Sequence, residues 1–545
     1  MHFDPSPRWP LFGALVAGGT LIAAFAYFVL SDRQGEAVPA SGGTYVEGVL
    51  RPPERINPLF AAANQTDADL SALIFSGLVR LGPDGTPLPD LAERWEITGN
   101  GQSYVLHLRR GVVWHDGDPF DADDVLFTFR AISDPAFRGD PALAQLMQGV
   151  VLTARDAYTV EFRLEQAYAP FLAYLTVGIL PHHLLEGLDA NGLLNAPFNG
   201  RPIGTGPYRL RSRDDDSIEL APHSTYYFGP PRIERLELRF FASPSAVAEA
   251  LRRGEIDAGL FPPATEPSVY DILRDAPGIV QRNLVSTSFF MLYLDTRSPM
   301  FSDAAVRRAM LRGINMQSVI DGPGLRRGVS VESGMPESLW AYSDLDVPGF
   351  DPGAAASLLE QAGWQRGRDG VRTKGADRLS FTLDTADDPY RVEIAENISR
   401  QLRALGIDVT VQPLDRATFV DQHLLSRSYT AALALVDPGP DPDPYPFWHS
   451  SQIGPPGRNL ANYSDPRIDD VLERARQTTD TERRKELYAL FSGYLIAAMP
   501  SIPLFAPTYT YVQPEQLQGA APGMLFTPAS RFANVHEWYL QTRVR

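Results

Sequence analysis

The chain has 545 residues, 44% of them hydrophobic and 10% aromatic, which is too many for one small domain and enough for two or three globular lobes. A net charge of −17 argues against a nucleic-acid partner, because phosphate binding needs a concentrated basic surface. There is no cysteine, which removes disulfides, thiolate catalysis, thiolate metal sites and a lipidated N-terminal cysteine together.

Residues 11–30 carry no charge and are bounded by Arg8, Asp32 and Arg33. At about 1.5 Å per residue such a stretch matches a hydrocarbon core about 30 Å thick, so a retained membrane anchor is expected. A signal segment cleaved after the small residues around Val38, Pro39 and Ala40 stays open beside it. Either way the chain from about Ser41 onward is expected outside the cytoplasm.

Further along, SYVLHLR at 103–109 alternates as a half-buried strand should, and Asp121 is placed to cap the helix that follows. Asp351 and Pro352 open a helix that Gly363 closes. From Pro389 to Leu405 the residues Ile394, Ile398, Leu402 and Leu405 recur at helical spacing; Gly406 then stops the helix and IDVTVQPL reads as a strand. Pro466 starts another helix, with Ile468, Val471, Leu472 and Ala475 on one face. A helix turning through one glycine into a strand is a two-layer unit, so the chain reads as at least two α/β lobes.

Catalytic signatures are missing: no GxSxG elbow, P-loop, HExxH or glycine fingerprint is present. His182 and His183 are adjacent, and neighbouring side chains diverge, which disfavours a shared metal. The densest acidic motif is LVDPGPDPDPYPFWHSS at 435–451. A calcium loop starting at Asp437 would need glycine sixth and glutamate twelfth, where Pro442 and Trp448 stand. Alternating prolines make the segment stiff and extended. From the residues alone it is either a proline-rich surface loop with solvated acids or the lip of a binding pocket.

Several segments, in order, resemble the family 5 solute-binding proteins, the extracytoplasmic peptide and nickel receptors of ABC importers. They include INPLF (56–60), SGLVRLGPDGTPLPDLAERWEIT (76–98), GQSYVLHLRRGVVWHDGDPFDADDVLFTF (101–129), PIGTGPYRL (202–210), LRRGEIDAGL (251–260) and NYSDPRIDDVLERAR (462–476). The resemblance implies an α/β, two-lobed periplasmic-binding-protein (Venus-flytrap) fold of type II with an extra subdomain in the first lobe. It divides the chain into 1–40 (anchor or signal segment with a short linker), 41–284 (first lobe with the subdomain), 285–500 (second lobe) and 501–545 (return to the first lobe).

The same resemblance implies a monomeric receptor without catalysis, cofactor or metal. It would capture a short peptide and deliver it to ABC permease subunits, tethered to the membrane by its N-terminal segment. A metal chelate, sugar or other small solute is the alternative ligand, and a tethered sensor the alternative role. Asp437 matches the aspartate that holds a peptide's ammonium group, and the backbone of Leu433 and Leu435 would pair with the peptide as an added strand. Tyr445 and Trp448 are expected as pocket walls, Asp441 as a further contact, and Arg458 as the partner of the ligand carboxylate. Gly204, Gly206, Pro207 and His115 to Gly117 read as structural turns.

Overall fold

The computed structural model describes residues 37–322 and 328–544; the apolar stretch at 11–30 lies outside them. The helix boundaries follow the capping chemistry. Asp121 caps Ala122–Ser133 in a reciprocal box with Asp124, Asp351 caps Pro352–Gln361, Asp388 caps Pro389–Ala404 and Asp465 caps Pro466–Gln477. Gly406 has φ of +87°, which lets the chain turn at once into the strand Asp408–Leu414.

Two sheets organise the chain. The first contains Thr44–Leu50, Tyr208–Arg213, Ser217–Pro222, Arg235–Phe241, Ala258–Phe261, Ile279–Val285 and Phe505–Pro514. The second runs in the order Asp408–Leu414, Ser380–Ala386, Ala431–Val436, Phe289–Leu294, Ser501–Pro503. A separate antiparallel sheet of Ala92–Thr98, Ser103–Leu108, Thr159–Leu164 and Val150–Asp156 packs under the helix Ala122–Ser133, forming a subdomain on the first sheet's side. These layers form the two-lobed binding fold, α/β in both lobes, with the subdomain attached to the first.

The chain passes between the two main sheets at Ser286–Ser288 and again at Leu504. The passages lie side by side: Ile279–Val285 pairs with Phe505–Pro514 before the crossing, and Phe289–Leu294 pairs with Ser501–Pro503 after it. Ala258–Phe261 runs in the same direction as Ile279–Val285, since both are antiparallel to Phe505–Pro514. Ala431–Val436 is antiparallel to Phe289–Leu294. The carboxyl ends of the parallel strands in both sheets therefore face the crossing, where ligands bind in open α/β sheets.

Two of the sequence motifs hold each other. The His115 ring accepts from the Gly204 amide through Nδ1 (3.2 Å), so its Nε2–H donates to the Gly206 carbonyl (3.0 Å). Burial lowers the His115 pKa to about 3, which keeps the ring neutral. A Cβ on Gly204 would stand 1.9 Å from the Ile74 carbonyl oxygen, so glycine is required by close approach. The C-terminal stretch returns to the first sheet: buried Arg531 bonds Glu47 (2.8 Å) and Asp69 (2.8 and 2.6 Å), and Gln541–Val544 pairs with Ala37–Ala40.

Candidate functional site

The strand Ala431–Val436 is central at its start and half open at its end. It pairs with Phe289–Leu294 along its whole length, but with Ser380–Ala386 only at Ala431 and Ala432. One backbone edge of Ala434–Val436 is thus left without a strand partner among the described residues. Leu433 is fully buried, with its carbonyl accepting from Thr385 at 3.5 Å, whereas Leu435 is 38% exposed. Asp437 follows at the strand end; it is exposed, makes no ion pair among the described residues, and accepts only from the Gly439 amide (3.0 Å).

The other two aspartates of the loop behave differently. Asp441 is buried and chelated by Arg484, whose Nη2 and Nη1 donate to its two oxygens at 2.7 and 3.1 Å. Nη2 of Arg484 also donates to the Tyr488 hydroxyl at 2.8 Å. Burial pushes the Asp441 carboxyl up and Arg484 pulls it back. A carboxylate so held is not offered to a ligand, which corrects the reading of Asp441 as a ligand contact. Asp443 is likewise buried, accepting from Arg476 Nε (2.8 Å) and from the Tyr445 amide (3.1 Å).

Tyr445 stacks on His449, with centroids 4.1 Å apart and planes at 12°, and the Arg476 guanidinium lies 3.7 Å from its centroid. Both ring faces are occupied, so only its edge and hydroxyl face outward. Trp448 is buried in the core of the second lobe. With Phe289, Met291, Tyr293, Leu339 and Val436 it borders a void of about 30 Å³, room for a water or two. Arg458 is exposed and its charge acts on the Tyr293 hydroxyl; among the described residues it makes no ion pair with Asp437.

The lobes touch across this loop. Arg476 sits between Tyr445 of the second lobe and Tyr168 of the subdomain, 5.3 Å from the latter's ring centroid. The Trp340 amide donates to the Asp84 carbonyl at 3.0 Å. Among the described residues no group of three or more His, Asp or Glu is placed to hold a metal ion, and no helix is long and apolar enough to cross a membrane. His183 bonds Asp116 at 2.9 Å and Asp118 at 3.4 Å.

Two sheets with strand ends converging on a double crossing define a binding protein that closes around its ligand. A family model described as bacterial extracellular solute-binding proteins, family 5 (Middle), matches residues 86–455, and the chain belongs to that family. It is 26% identical over 526 residues to the oligopeptide-binding protein AppA of Bacillus subtilis, covering 94% of each chain. It is similar to NikZ from Campylobacter jejuni in complex with Ni(L-His), with 27% identity, a TM-score of 0.69 and coverage of 91% of this chain and 99% of that one. HbpA2 from Haemophilus parasuis shares the fold, with a TM-score of 0.79 and 22% identity over 92% of this chain and all of that one.

Proposed function

We propose that this protein is an extracytoplasmic receptor that captures a short peptide between its lobes and hands it to the permease of an ABC importer. The observation that carries the reading is the strand end at Leu435–Asp437. Among the described residues it combines a backbone edge without a strand partner and an exposed carboxylate without an ion pair, at the carboxyl end of a central strand. An extended peptide can add to that edge through main-chain hydrogen bonds, which read length and direction rather than side chains. A carboxylate facing the terminal ammonium makes a charge-assisted bond of about 1.5–3 kcal/mol. The name of the Bacillus subtilis relative supports the same ligand class.

The receptor acts by binding alone. Residues 41–284 with 501–545 would move as one body and 285–500 as the other, turning about Ser286–Ser288 and Leu504, where the connections are short. The pairing of Ala37–Ala40 with Gln541–Val544 would be lost on cleavage after Ala40, which supports a retained N-terminal tether. A small metal chelate is the second reading, supported by the likeness to the nickel–histidine-bound structure. Native mass spectrometry of the gently purified protein separates the two: peptide masses are expected, and a retained chelate with no peptide would overturn the first reading.

A further inference from the structure

Besides the strands that join the main sheets, the subdomain itself reaches the second lobe, and the Arg476 guanidinium is the centre of that contact. Asp443 of its own lobe neutralises it, with Nε donating at 2.8 Å and Nη2 at 2.7 Å, and the Tyr445 ring centroid lies 3.7 Å from it. On the subdomain's side stands Tyr168, its ring centroid 5.3 Å away. Helix stability explains a cation in the last turn of Pro466–Gln477, and the pair with Asp443 explains the clamp on the loop. Neither calls for Tyr168.

Further contacts surround it. The Tyr168 backbone is fixed in the subdomain core, because its carbonyl accepts from the hydroxyl of fully buried Tyr104 at 2.9 Å, and Tyr104 packs on Phe171 with centroids 4.9 Å apart. The Tyr168 hydroxyl bonds that of Tyr174, and a Cβ at Gly439 would stand 4.0 Å from the Tyr174 oxygen. Gly439 is the residue whose amide donates to the Asp437 carboxylate, so the tyrosine pair lies against the turn that carries Asp437. Beside them the turn Gly99–Gly101 meets the connection between Pro466–Gln477 and Thr481–Ala498: a Cβ at Gly101 would stand 3.2 Å from the Thr479 methyl.

We propose that Tyr168, Tyr174 and Arg476 form a latch between the subdomain and the second lobe, which holds the two bodies together before a ligand arrives and positions the Asp437 turn without touching the ligand. The connections at Ser286–Ser288 and Leu504 permit motion but supply nothing that favours one position. A guanidinium already paired with a carboxylate is weakly hydrated and loses little when a second ring comes against it, so the contact can form and break in the working protein. The latch is a property of the two bodies and is independent of which solute the cleft takes.

The test is a pair of spin labels read by double electron–electron resonance. The chain has no cysteine, so Val151→Cys in the subdomain and Leu490→Cys in the second lobe, both exposed, place one label on each body. The full chain is stripped of solute, and native mass spectrometry confirms that none remains. Wild type should show a short separation as a major population. Tyr168→Leu, which leaves the Asp443–Arg476 pair intact, should lower the ratio of short to long separations by about three- to thirtyfold, and Tyr168→Phe, which keeps the ring, by no more than about twofold. Arg476→Gln should match Tyr168→Leu, and the double variant should go no further than either single one. Circular dichroism and a thermal melt confirm that each variant is folded. A single long separation in solute-free wild type, an unchanged distribution in folded Tyr168→Leu, or effects of the two substitutions that add would overturn the latch. None of these outcomes bears on the peptide reading, which the mass spectrum of the retained solute decides.

Discussion

Within one run of seventeen residues, aspartates of the same type do opposite work. Asp441 and Asp443 are buried against Arg484 and Arg476 and clamp the proline-rich loop onto the helices Thr481–Ala498 and Pro466–Gln477. Asp437, a few residues earlier, is exposed and bonded only to a backbone amide of its own turn. Composition does not separate them; the presence of an arginine from a distant helix does. The clamped half supplies rigidity, and that rigidity is what holds the open half in one position for a ligand.

The largest effect expected from breaking this contrast is at the clamp. Arg484→Ala leaves the Asp441 carboxylate buried without a partner, which should cost about 3–5 kcal/mol in urea unfolding. Changing both residues to leucine should recover much of it, because the cost lies in the orphaned charge more than in the lost pair.

Asp90 offers a third environment, a buried aspartate without an arginine ion pair. It accepts from the Tyr227 hydroxyl, and burial raises its pKa to about 7. Its folded pKa lies above the unfolded value, so the folded state binds the extra proton between about pH 4 and pH 7. Stability from this group is therefore present at low pH and lost as pH rises, by at most about 4 kcal/mol in all. Unfolding measured across that range should show the decline, and Asp90→Asn should flatten it.

A smaller loss is expected at Asp443, whose partner Arg476 is only half-buried. Asp443→Ala should lower stability by about 1.5–3 kcal/mol, the range for hydrogen bonds to charged groups, and the melting curve reports it. At Asp437 the same substitution should change stability by no more than about 0.5 kcal/mol, since the side chain is exposed and unpaired.

Much of the architecture was legible because it is written locally. Each Asp–Pro or Asp–x–x helix start, the stop at Gly406 and the strand after it depend on residues within one turn of each other. The contact between the His115 turn and the Gly204 turn was legible only as two separate turns, because nothing in the spacing says that a ring at 115 meets amides at 204. For the same reason Asp441 read as a ligand contact: its arginine lies 43 residues away and is one of many. Leu433 and Leu435 share a parity, yet one is buried and the other exposed, since the neighbouring strand ends between them.

The most direct test of the central claim is calorimetry of wild type and Asp437→Asn with one bound peptide and its N-acetylated form. The substitution keeps the shape and removes the charge. If Asp437 holds the ammonium group, wild type should prefer the free amine by about tenfold or more, and Asp437→Asn should bind both forms equally weakly. Unchanged affinity for the free-amine peptide in folded Asp437→Asn would contradict the account.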